Sequence, residues 1–97
     1  MNKQNLNNAF RQLRRKGYFA RQNYQCCNSC GWASMTTEES KKAVFYHRQE
    51  TEDLKKTGVT YLSWSGDADE IIAIFQHYGI KTEWQGSQDK KIQININ

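Results

Sequence analysis

Apolar positions recur along the chain at two spacings, and the switch between them marks out its elements. Between residues 3 and 16, Leu6, Ala9, Phe10 and Leu13 fall at i, i+3, i+4 and i+7, which predicts an amphipathic helix. Gly17 follows as its stop, with Arg14, Arg15 and Lys16 in the last turn, where cations suit the helix dipole. Residues 18–25, YFARQNYQ, read as a short strand leading into a cysteine cluster, and residues 43–47, AVFYH, as a central strand. Between them Thr36 and Glu39 form a capping-box pattern for a brief helix. A second brief helix fits residues 49–58, acidic at its start, basic at its end and closed by Gly58.

Strict alternation returns in VTYLSW, residues 59–64, which predicts a strand. Asp67 and Glu70 then cap a helix whose Ile71, Ile74, Phe75 and Tyr78 share one face before Gly79. IKTEWQ (80–85) and KKIQINI (90–96) both alternate, and GSQD (86–89) joins them as an antiparallel hairpin. The pattern therefore predicts an α+β fold. A single domain over residues 1–97 would carry a mixed, mostly antiparallel sheet of about five strands with helices packed on it.

Composition sharpens this in two respects. Aromatic residues make up 12% of the chain, enough large side chains to build a core and to argue against disorder. The net charge of +4 is unevenly spread: residues 1–37 hold six bases (Lys3, Arg11, Arg14, Arg15, Lys16, Arg21) and no acid, whereas residues 38–97 hold eight bases and ten acids. Arg11, Arg14 and Arg15 lie opposite the apolar stripe, and with Arg21 they form a candidate partner-binding surface. An acidic protein is the expected partner, and nucleic-acid phosphate the alternative, without a recognised nucleic-acid motif. The longest apolar run, IIAIF, is too short for a membrane span, and MNKQNLNNAF has no secretory h-region, so a cytoplasmic location is expected.

All three cysteines lie in RQNYQCCNSCGWASM, residues 21–35. Cys27 and Cys30 form a C-x-x-C-G element, a spacing that suits a zinc knuckle, with Cys26 and His47 as the remaining soft donors. Because neighbouring side chains diverge in extended backbone, joint use of Cys26 and Cys27 requires a bend. The same residues fit a redox or nucleophilic thiol in which His47 activates Cys27 or Cys30, with Glu50 or Asp53 orienting the ring. Against redox chemistry, the clearest helix signal begins only at Thr36, beyond the cysteines. A plain turn packed with small, weakly polar side chains is the third option. The leading reading is a small non-catalytic binding or regulatory domain whose Cys26, Cys27 and Cys30 turn packs beside His47, a set that could hold zinc; the alternatives are a thiol-dependent protein using Cys27 or Cys30 with His47, and a nucleic-acid or acidic-protein binder acting through the basic helix.

Three elements, taken in order, resemble a family of uncharacterised bacterial domains. They are Tyr24 with Cys26, Cys27, Cys30 and Gly31; Phe45, Tyr46, His47, Gln49, Glu50, Thr51 and Glu52; and Glu83, Trp84 and Gly86. The family pattern more often has Asp where this chain has Glu50, and the basic N-terminal helix lies outside it. The resemblance implies no activity, but it does imply that the thiol element and YHRQETE belong to one site.

Overall fold

The helix expected at the start of the chain is α1, Lys3–Arg15, in the computed structural model, which describes residues 3–97. Its Leu6, Ala9, Phe10 and Leu13 are fully buried against the strand and helix it covers, β1 (Phe19–Arg21) and α5 (Ala68–His77). The chain then runs through α2 (Asn28–Ala33), α3 (Thr37–Ser40), β2 (Ala43–Phe45), α4 (Arg48–Thr57) and β3 (Val59–Trp64) ahead of α5. It closes with the hairpin strands β4 (Lys81–Glu83) and β5 (Ile92–Asn95).

The five strands form one sheet in the order β1-β2-β3-β5-β4. β1 and β2 are parallel and every other neighbouring pair is antiparallel, which makes this the mixed, mostly antiparallel α+β domain expected. β3 occupies the centre, and β2, expected there, lies one place nearer the edge. The six-residue β3 holds the longest ladder, whereas β2 is only three residues long.

Alternation along the strands divides the sheet into two faces. Ala20, Val44, Leu62, Trp64, Ile92 and Ile94 all point to one face and join α1 and α5 in a continuous core. Phe10 anchors that core by edge-to-face contacts with Tyr46 and Phe75, at ring-centroid distances of 5.8 and 5.7 Å. Phe45 and Ser63, register partners across β2 and β3, point the other way. That second face carries the thiol element.

Parallel pairing determines where the thiol element goes. Two parallel strands need a crossover connection, and here the crossover contains the cysteines, α2 and α3. The chain leaving β1 toward Cys26 and the chain leaving β2 toward His47 consequently emerge at the same end of the sheet. No helix among the described residues is long and apolar enough to cross a membrane.

Candidate metal centre

Residues 22–26 show how adjacent cysteines come to face the same way. The strand expected over residues 18–25 ends at Arg21, and Asn23 and Gln25 then take left-handed backbone conformations, φ 53° and 63°. Such a conformation is unfavourable for a residue with a side chain and persists only where its surroundings hold it. Here Tyr24 N donates to Tyr46 O at 2.9 Å, Arg48 N donates to Gln25 O at 3.1 Å, and Thr51 Oγ1 donates to Asn23 Oδ1 at 3.0 Å. All three ties come from the segment that leaves β2, so the YHRQETE motif fixes the bend that precedes Cys26.

Beyond the bend, Cys27 is the N-cap residue of α2, a helix that the sequence pattern did not signal. Its NSCGWA sequence is too short to display a period, and its position is set by tertiary contact. A Cβ added at Gly31 would lie 2.5 Å from Phe45 Cε2, so only glycine lets the helix approach the sheet this closely. Trp32 packs edge-to-face on the same Phe45 ring at 5.2 Å, and Asn28 Oδ1 accepts from the buried Ser63 hydroxyl.

The result is a triangle of sulfurs. Cys26 Sγ lies 3.5 Å from Cys30 Sγ and 4.0 Å from Cys27 Sγ, and all three atoms fall within 4.8 Å of one another. Cys26 and Cys30 are exposed and Cys27 is half-buried. Cys27 makes no side-chain cap hydrogen bond, yet the nearby Cys30 backbone N–H and then the Cys30 thiol hold the Cys27 thiol below its ordinary value. Cys30 is pushed up to about 11, first by its hydrogen bond to Cys26, then by the nearby Cys27 thiol and by the neighbouring negative charge. A metal cation would remove that repulsion and let all three ionise together. The cluster could therefore hold a metal ion.

His47 lies outside the sulfur group. It is the N-cap of α4: its Nδ1 accepts from Glu50 N at 3.4 Å, while Glu50 Oε1 accepts from His47 N at 3.1 Å. His47 Nε2 is 3.4 Å from the same Glu50 oxygen, and Lys91 Nζ is 2.8 Å from Glu50 Oε2. Histidine is an uncommon N-cap, so the sequence pattern of Ser, Thr, Asp or Asn before Glu could not reveal this box. Lys91 carries no local sequence signal, since its partner Glu50 lies 41 residues away. A cavity of about 240 Å³ adjoins this network, with Asn28, Ser63, Lys91, Trp32 and Trp64 among its walls.

The basic residues divide. Arg14 Nη1 and Arg21 Nη1 both donate to Ala20 O, at 3.0 and 2.9 Å, and Arg21 also covers the Phe19 ring at 4.3 Å. Arg11 Nη1 donates to Asn8 Oδ1 within α1 at 3.2 Å, and Arg15 is exposed at the end of that helix. The structure thus joins Arg14 to Arg21 at a backbone carbonyl.

Comparison with known proteins turns up neither a curated protein nor a solved structure that matches. A family model does match, over residues 2–97, and the bend, the thiol triangle and the His47–Glu50 box all lie within it. The chain belongs to that family, described as Domain of unknown function (DUF6891).

Proposed function

We propose that this domain is a metal-binding module in which Cys26, Cys27 and Cys30 hold zinc through three thiolates. The observation that carries the reading is the sulfur triangle. A tetrahedral zinc with bonds of about 2.3 Å requires sulfurs roughly 3.7 Å apart, and two edges of this triangle measure 3.5 and 4.0 Å. Little rearrangement is needed, because the left-handed residues ahead of Cys26 have already turned adjacent side chains together. Thiolate donors select soft and borderline ions such as zinc over magnesium or calcium.

The test is metal analysis of protein purified without chelators. One zinc per chain, lost on Cys27→Ser, is the expected result. Metal-free protein whose thermal stability is unmoved by added zinc overturns the reading.

A second reading rests on the contrast between the two thiols of the C-x-x-C element. Cys27 is held low and Cys30 high, the pattern of an attacking thiolate with a resolving partner. Cys27 would attack a substrate disulfide and release one thiolate. Cys30 would then displace the second, leaving Cys27–Cys30 oxidised and the substrate reduced. Fast alkylation of Cys27 near neutral pH in metal-free protein is expected. Three sluggish thiols remove this alternative.

A further inference from the structure

A zinc ion held by three thiolates has a fourth coordination position, and its occupant separates a closed structural site from an open one. Among the described residues, the His, Cys, Asp and Glu ligand atoms that cluster here are the three sulfurs and no other. His47, the nearest sequence candidate, has Nδ1 engaged by the Glu50 N–H and Nε2 facing the Glu50 carboxylate. Two of the three sulfur-bearing residues are exposed, so a donor from solvent meets no covering element.

Resting on the metal reading above, we propose that the fourth position accepts a thiolate from a second molecule, either a small free thiol or a cysteine in another polypeptide. Three thiolates make a soft donor set, for which a fourth sulfur is a well-matched addition. Binding is simple ligand exchange. The incoming thiol gives its proton to solvent, its sulfur bonds to the metal, bound water leaves, and no electrons are transferred.

The experiment uses the full chain loaded with Co(II) under reducing, oxygen-free conditions, at a concentration where size exclusion shows a monomer. Titration with glutathione should raise the sulfur-to-cobalt charge-transfer absorption by about one third, as three thiolates become four, and then saturate. S-methylglutathione, which cannot form a thiolate, should leave the spectrum unchanged. A cysteine-containing peptide lacking the glutathione backbone serves as the second arm. Saturation at least tenfold lower than for glutathione assigns the thiolate to a polypeptide, and equal or weaker binding assigns it to a small thiol.

Cobalt that binds stoichiometrically but ignores both thiols overturns the proposal and leaves the metal reading intact. Protein that takes up no cobalt or zinc overturns both. His47→Asn keeps a cap acceptor for α4 and should leave the cobalt spectrum unaltered. A changed spectrum in that variant makes His47 the fourth ligand and also overturns the proposal.

Discussion

The two faces of the sheet are built by different means. On one, α1 and α5 cover Val44, Leu62, Ile92 and Ile94 with side chains that repeat at helical and strand periods, and Leu6, Phe10, Leu13 and Phe75 are fully buried. On the other, a six-residue helix approaches Phe45 through a glycine, and a polar chain runs from His47 through Glu50 to Lys91. The first face gains its stability from apolar area removed from water. The second is built on edge-to-face contacts among Phe19, Tyr24, Phe45 and Trp32, and it holds backbone in left-handed conformations that bring three sulfurs together. The sulfur cluster thus stands across the sheet from the α1–α5 core.

Substitutions on each side sharpen this contrast. The largest effect is expected from Phe10→Ala, which empties the contact between Tyr46 and Phe75 and should lower unfolding free energy by about 3–5 kcal/mol. Urea denaturation checks it, and metal affinity of the protein that remains folded should be unchanged. Gly31→Ala comes next. Its new Cβ meets the Phe45 ring, so α2 must move or Phe45 must turn, at a cost of about 1–3 kcal/mol. Unlike Phe10→Ala, this variant should also weaken zinc binding, read by competition with a chromophoric chelator. Equal zinc affinity in wild type and Gly31→Ala would break the division between the faces.

Tyr18→Phe has a smaller effect, confined to the core side. The Tyr18 hydroxyl donates to Glu70 Oε1 at 2.8 Å. Burial, then the bond to Glu70, pushes its ionisation up to about 12. A group whose folded value is raised contributes stability in full below its unfolded value, and loses that contribution as pH rises through the folded value. The window therefore runs from about 10, the ordinary tyrosine value, to about 12. The variant should lose about 1 kcal/mol at neutral pH and show a flatter fall in stability across that window by urea titration. The smallest effect belongs to Cys27→Ser without metal, whose urea midpoint should match that of wild type, since the residue is only half-buried. Added zinc should stabilise the wild type and leave this variant unchanged. Zinc affinity of the wild type should itself rise with pH, because the raised Cys30 thiol must release its proton to bind.

Much of the core side was legible in the sequence because periodicity records burial. The stripe Leu6, Ala9, Phe10, Leu13 and the alternation in residues 59–64 and 90–96 all reappear as buried faces of α1, β3 and β5. The capping signals at Thr36 and Asp67 also mark true helix starts. The site side was readable in composition but not in geometry. The clustering of three cysteines could be read from spacing, whereas their link to YHRQETE came only as what the family resemblance implies. The helix α2 could not, because six residues carry no period and the reason for their helicity, the Phe45 ring, lies twelve or more positions downstream. His47 reads as a metal donor because it is a soft donor at the end of the strand predicted over residues 43–47. Its capping role depends on the turn into α4, which a residue-type signature does not encode.

The pair of guanidinium groups at Ala20 O has a consequence for how copies of this molecule behave toward one another. β1 is an edge strand, and since Phe19 N donates inward to Lys42 O, the polar groups of Ala20 face outward. Arg14 and Arg21 occupy that outward carbonyl and plant two cations along the rim. An incoming strand would meet a blocked acceptor and charge in place of an open ladder, so this border of the sheet is protected against aggregation by strand addition.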